Sequence, residues 1–163
     1  MHIEMHIEVD DLSRNEVVTL LRLHLEAAAL ESPPESVHAL DLDGLKAPDV
    51  TFWTAWEGAQ LLGCGALKEL GPAEGEIKSM HTARAMRGRG VARCLLEHIL
   101  GEARRRGYRR LSLETGSVAA FAPARALYAS FGFEVCPPFA DYRLDPYSVF
   151  MTLELEPAPF TGM

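Results

Sequence analysis

No stretch of this 163-residue chain approaches the ~20 consecutive apolar residues of a membrane span. The N-terminus carries acids and no apolar run, unlike a secretory signal, so a cytoplasmic protein without membrane contact is expected. Cysteine is scarce: Cys64, Cys94 and Cys136 are widely spaced and odd in number, which argues against a disulfide framework and for free thiols in a reducing compartment. The six histidines show no zinc spacing with these cysteines, and no metal is expected. Two common anion-binding motifs are missing. No Gly-Lys-Ser/Thr tripeptide occurs, which excludes a P-loop, and Gly88-x-Gly90 is followed by Arg93 where a dinucleotide fingerprint needs its third glycine. Basic residues are in the minority, 16 Lys+Arg against 23 Asp+Glu, and the net charge of −7 speaks against a nucleic-acid partner.

What the chain does have is one concentrated island of positive charge. Residues 84–110 hold nine arginines and two acids, Glu97 and Glu102, so the rest of the chain is strongly acidic. Arg104, Arg105 and Arg106 fit the negative end of a helix that Gly107 terminates. The arginines at 84, 87, 89 and 93 need another reason, because cations are unfavourable at a helix N-terminus unless an anion is present. They surround Arg87-Gly88-Arg89-Gly90-Val91-Ala92, a turn between an extended segment and a helix. Such a turn aims several backbone N–H groups one way, and glycines at 88 and 90 let a phosphate approach the main chain. A polyanion such as a pyrophosphate is the expected ligand.

The hydrophobic pattern predicts a single domain over 1–163 with its core at about 3–155. Residues 3–9 alternate as a strand. Ser13 is placed to cap a helix running to about Leu30, with Val17, Leu20, Leu21, His24, Leu25 and Ala28 on one face. Pro33-Pro34 breaks that helix, and a short second helix is expected over Glu35–Leu40. Strands follow at Thr51–Trp56 and Leu61–Leu70 around the turn Glu57–Gln60, then at 76–82. The helix expected over 90–106 has a broad apolar stripe; then come a strand at Arg110–Thr115, a helix at Ala122–Phe131, and strands near 133–136 and 147–155. The order βααβββαβαββ describes an α/β fold with a mixed sheet.

Two motifs carry a resemblance. The spacing Arg87-x-x-Gly90-x-Ala92, followed by Ala124-x-x-Leu127-Tyr128-x-x-x-Gly132-Phe133, resembles the GNAT superfamily of N-acetyltransferases over about residues 3–155. The tail from Phe139 to Met151 looks like a group of small bacterial members whose acceptors are mostly unassigned. The resemblance implies a largely antiparallel sheet that splays open between its fourth and fifth strands, with helices on both faces. It implies acetyl-CoA as cosubstrate and an acetyl group moved directly to a primary amine of a small molecule or peptide in a ternary complex. Arg87, Gly88, Arg89, Gly90, Val91 and Ala92 would hold the pyrophosphate, mainly through backbone N–H groups. A bulge on the strand 76–82 would offer the Met80 N–H to the thioester carbonyl, with His81 and Thr82 flanking the pantetheine arm.

For proton transfer, Tyr128 is the candidate acid, since a phenol with pKa of about 10 can protonate a thiolate whose thiol pKa is about 8.5. Glu76 ranks first as general base, ahead of His81, Glu114, His24 and His38. The family often has Asn seven residues before this tyrosine; here the position is Phe121, so that cofactor contact is lost or replaced. The acceptor pocket is expected between residues 24–41 and 139–148, with His24, His38, Glu114 and Tyr142 as substrate-binding residues. Its mostly acidic walls favour a cationic amine, while Arg143 could pair with a carboxylate. A non-catalytic acyl-CoA-binding module on the same fold is the alternative. Family habit and the apolar strand Tyr147–Leu155, which could add to a neighbour's sheet edge, suggest a homodimer.

Overall fold

The computed structural model describes residues 5–36 and 40–156. Among these residues seven strands form one sheet: β1 (His6–Val9), β2 (Val50–Glu57), β3 (Gln60–Gly71), β4 (Glu74–Thr82), β5 (Arg110–Gly116), β6 (Glu134–Val135) and β7 (Ser148–Glu154). Their order across the sheet is β1-β2-β3-β4-β5-β7-β6, and every neighbouring pair is antiparallel except β4–β5. Among the described residues four α-helices accompany them: α1 (Asn15–Glu31), α2 (Leu42–Leu45), α3 (Val91–Arg105) and α4 (Ala122–Ser130). The mixed, largely antiparallel α/β sheet expected from the sequence is therefore present.

The helices lie on both faces. Val17, Leu20 and Leu21 of α1 and Leu45 of α2 bury themselves against Phe52, Trp56, Cys64 and Ala66. On the other face the α3 stripe of Leu96, Ile99, Leu100 and Ala103 packs with Leu67, Ile77, Leu111 and Leu113, and Tyr128 of α4 joins the same cluster. Most of α3 between Val91 and Ala103 that points inward is fully buried, and the arginines at its C-terminus stay in water. Each such Leu or Ile contributes about 1.5–3 kcal/mol relative to exposure, so this face anchors both the turn before α3 and the strand beneath it. Gly107, at φ +80°, ends the helix as expected.

Three local expectations are corrected. Ser13 does not cap α1: its hydroxyl donates to Asp11 Oδ1 (2.6 Å), and Arg14 takes the cap position without a side-chain bond. The helix expected over Glu35–Leu40 is a single 3₁₀ turn at Pro34–Ser36, residues 37–39 lying outside the described residues. The next helix instead starts later, where Asp41 Oδ1 accepts from the Gly44 N–H (2.9 Å) and caps α2. Finally, β7 is not an edge. It runs between β5 and β6, and the Cys136 N–H bonds to the Phe150 carbonyl (2.8 Å).

The feature that positions the site is where β4 and β5 part. They pair from Glu74–Arg110 to Ile77–Leu113 and no further, although β4 runs on to Thr82 and β5 to Gly116. This is the splay that the resemblance implies. Just past the last pair, β4 carries a bulge: the register with β3 shifts between Cys64–His81 and Ala66–Lys78, so Ser79 and Met80 together oppose Gly65. A side chain at Gly65 would collide with Met80 Sδ, at 2.6 Å from an added Cβ. Glycine there is what lets the Met80 side chain lie across β3 towards Ile99 of α3. Among the described residues no helix is long and apolar enough to cross a membrane.

Candidate active site

The turn before α3 has the form an anion site needs. Gly88 (φ +80°) and Gly90 (φ +81°) are both left-handed, and a Cβ added at either would meet nothing within 4 Å. The main chain is thus open to close approach at both positions. Val91, Ala92 and Arg93 open α3, where the first N–H groups have no partner within the helix. Arg84, Arg87 and Arg89 are exposed around them. Arg89 rests against Met86 Sδ (3.7 Å), and Arg93 lies over the Phe131 ring (4.9 Å) and donates to Ser130 Oγ (3.3 Å). The residues present therefore fit a pyrophosphate held by backbone, with arginine charge around it.

Between the parted strands lies a cavity of about 140 Å³. His24 and Ala28 of α1 line it, and so do Ala124 and Tyr128 of α4. Because α1 and α4 pack on opposite faces, the cavity passes through the sheet. Ser79 and Met80 of the bulge, Glu114, Thr115 and Gly116 of β5, and Phe121 also line it. Phe121 stands where the family often has Asn; its ring lies so close over Gly116 that a Cβ there would sit 2.1 Å from Cδ2. The side-chain amide is thus replaced by an apolar wall, and Gly116 makes room for it.

Strand alternation sorts the polar groups by face. Lys78 pairs with Ala66, which packs under α1, so Glu76 and Lys78 point to the α1 face. Ser112 pairs with Glu76, and Glu114, two residues on, points the same way. Tyr128 approaches from the α4 face. Glu114 and Tyr128 thus look at one cavity from its two ends. Burial raises the Glu114 carboxyl to about 7, against the pull of the Ser148 hydroxyl and the Lys78 ammonium. Burial also pushes the Tyr128 phenol above its ordinary value, and the charge on Glu114 adds to the rise.

Glu76, 3% exposed, is held by neighbours. Its Oε2 accepts from Tyr142 Oη (2.5 Å) and from Lys78 Nζ (3.2 Å), and Lys78 Nζ also donates to Tyr142 Oη (2.8 Å). Burial and the Glu76 charge raise the Tyr142 phenol, so it stays a donor. The two histidines near the cleft pair with each other: His24 Nδ1 and His81 Nδ1 are 3.2 Å apart. Burial lowers both to about 4, His24 with the further effect of His81 and His81 with that of Arg87. Both rings are neutral at pH 7, so one donates and the other accepts. Thr82 ends β4 beside His81, and His38 lies outside the described residues.

On the α1 face the cavity meets a broad groove of about 1110 Å³, bounded by the 136–145 segment; Glu76, Lys78 and Tyr142 line both. Phe139 of that segment meets Tyr142 and Phe150 edge to face, and Tyr142 and Phe150 meet at a tilt. The Ser36 hydroxyl donates to Asp145 Oδ2 (2.5 Å), which ties the segment to the turn after α1. Of the walls expected from the sequence, residues 24–41 and 139–148, the structure brings His24, Ala28, Ser32, Glu35 and Ser36 to the cavity and groove together with residues 139–145. Two residues escaped the sequence reading: Lys78, a buried cation on a central strand, and Ser79, whose place in the bulge becomes visible only once Gly65 is seen opposite it.

The sequence profile described as the acetyltransferase (GNAT) family matches residues 17–133. The chain is 60% identical over 151 residues to the uncharacterized N-acetyltransferase YsnE of Bacillus subtilis (strain 168), covering 93% of this chain and 100% of that one. It is 52% identical over 149 residues to the uncharacterized N-acetyltransferase YedL of Escherichia coli (strain K12), covering 91% and 94%. Among solved structures, a GNAT family acetyltransferase from Elizabethkingia anophelis with acetyl-CoA bound superposes with a TM-score of 0.71 at 18% identity, over 94% of this chain and 100% of that one.

Proposed function

The chain belongs to the GNAT family of acetyltransferases, and from that premise we propose that it transfers the acetyl group of acetyl-CoA to a primary amine of a small molecule or peptide, by direct attack within a ternary complex. One observation carries the reading: a cavity through the gap between β4 and β5, with Glu114 and Tyr128 at its two ends and the Ser79–Met80 bulge on its wall. Acetyl-CoA supplies a thioester whose carbonyl carbon accepts the amine. The 88–92 turn binds its pyrophosphate, on the α3 side. The Met80 N–H meets the carbonyl oxygen.

Glu114 takes the proton from the amine. A carboxylate with pKa near 7 is matched to that task at neutral pH, whereas the His24–His81 pair is too weakly basic. Glu76, ranked first from the sequence, is engaged by Lys78 and Tyr142 and orients the acceptor face. Tyr128 protonates the leaving sulfur. Its phenol is raised partly by the charge on Glu114. Once Glu114 has accepted a proton that charge is gone, so Tyr128 becomes the better acid at the moment the thiolate leaves. The groove carries Glu35, Glu69, Glu74, Glu76, Asp141 and Asp145 against Lys68, Lys78, Arg110 and Arg143, an acidic balance that draws in an ammonium group.

The test is thiol release from acetyl-CoA across a panel of amines, from polyamines and amino acids to peptides. Acceptor-dependent release above the hydrolytic background is the expected result. Its absence across the whole panel, with acetyl-CoA bound, would leave the protein a binding module.

A further inference from the structure

Ser79 joins two unfavourable features in one residue. Its backbone sits at φ +54°, a left-handed conformation that a side chain seldom adopts. Its Oγ is buried and meets no hydrogen-bond partner among the described residues, although buried hydroxyls in native proteins are nearly always satisfied. The left-handed backbone comes with the bulge, but the orphaned hydroxyl is not needed to build it. Glycine would relieve the first and alanine would remove the second. Both fall at the bulge, on the wall of the cavity that Glu114 and Tyr128 share. Strain and an orphaned polar group, coinciding in a cavity of this kind, mark a group held ready for a ligand.

The neighbours narrow down which ligand atom it meets. Lys78 and Tyr142 are bonded to Glu76, and His24 and His81 to each other. Glu114 is an acceptor when ionised, and Tyr128 faces the leaving group. The atom that gains negative charge during acyl transfer is the carbonyl oxygen, and a donor already fixed in place and shielded from water stabilises it most.

Resting on the acetyl-transfer reading above, we propose that Ser79 Oγ donates a hydrogen bond to the thioester carbonyl oxygen, alongside the Met80 N–H. The amine nitrogen forms its bond to the carbonyl carbon, and the π pair moves onto the oxygen that Ser79 holds. That pair returns as the C–S bond breaks. The sulfur leaves with the bonding electrons and takes the Tyr128 proton, while the proton from nitrogen resides on Glu114. Return of that proton to Tyr128 through water restores the site, and the products are an amide and a free thiol.

The experiment compares wild type with Ser79→Ala and Ser79→Cys, the second keeping the size of the side chain but donating weakly. Bound [1-¹³C]acetyl-CoA is followed by isotope-edited infrared spectroscopy, and unliganded protein by thermal melting. The carbonyl band of the wild-type complex should lie at lower wavenumber than that of Ser79→Ala, with Ser79→Cys between them. Unliganded Ser79→Ala should melt at or above the wild-type temperature, because it has lost only an unsatisfied hydroxyl. With an acceptor in hand, kcat of Ser79→Ala should fall on the order of 10²-fold with the KM for acetyl-CoA little changed. Identical carbonyl bands in wild type and both variants would overturn the role of Ser79 and leave acetyl transfer standing. If acetyl-CoA neither shifts its band nor raises the melting temperature of the wild type, the acetyl-CoA reading falls and takes this proposal with it.

Discussion

Glu114→Gln should make the protein more stable and less active, and the gain should depend on pH. The native state holds this carboxyl at about 7, against a reference of 4.5. A raised carboxyl pKa means that the folded protein keeps a proton which the unfolded chain has released. Stability is therefore lost as pH rises from about 4.5 through 7, and the loss is complete above that range. At 1.36 kcal/mol per unit, the penalty above neutrality is on the order of 3 kcal/mol. Glutamine keeps the shape and cannot ionise. Its stability advantage over wild type should grow by about 2–3 kcal/mol between pH 5 and pH 8, or roughly 5–10 °C in melting temperature for a domain of this size. Using the difference between two pH values removes any constant effect of the amide on local hydrogen bonds. Denaturant titrations at the two pH values give the number directly. In the same protein the transfer rate at pH 8 should drop by about 10²–10⁴-fold. An advantage that is flat from pH 5 to pH 8 would mean that Glu114 titrates as an ordinary surface carboxylate, and the physical ground for making it the base would be gone.

Two further outcomes follow from the same geometry. Tyr128→Phe should lower kcat by about 10²–10⁴-fold while leaving acetyl-CoA affinity nearly unchanged; a fall of less than tenfold would assign the thiolate's proton to water or another group. Gly90→Glu should abolish the rise in melting temperature that acetyl-CoA causes, about 2.7 kcal/mol of stabilisation at a hundredfold excess over Kd, because it sets a carboxylate at the anion turn and forces a side chain into φ +81°; an undiminished rise in a folded variant would move the site elsewhere.

The elements bounded by local signals were legible in the chain. The helix α3 and the strand before it could be read from the glycine turn, the apolar stripe and Gly107, because each of these acts within a few residues. Ser13 misled because its hydroxyl had a competing neighbour in Asp11, two residues away. The position of β7 could not be read at all: strand order is decided by tertiary packing, and an apolar strand looks the same at the centre of a sheet as near its edge. The same limit applies to the site. Strand alternation pointed Glu114 towards the cleft, yet its raised pKa comes first from burial by the fold and then from Ser148, Lys78 and Glu76, which arrive from two other strands. Glu76 looked available in the sequence, and only the fold brings Tyr142, 66 positions further on, to its carboxylate. The bulge came from resemblance and not from any local rule, so the oddity of Ser79 within it was invisible until its backbone was seen.

If the proposed reading holds, the cavity between β4 and β5, with the cofactor arriving from the α4 side and the amine from the α1 side, has two doors. Neither reactant has to leave before the other arrives, and each product can depart by the way its parent came. Such an enzyme has no use for a covalent acetyl-enzyme stage, whose purpose is to let two substrates take turns in one pocket. Its initial-rate plots against either substrate should then intersect, and an inert analogue of the amine should leave the entry of acetyl-CoA unhindered.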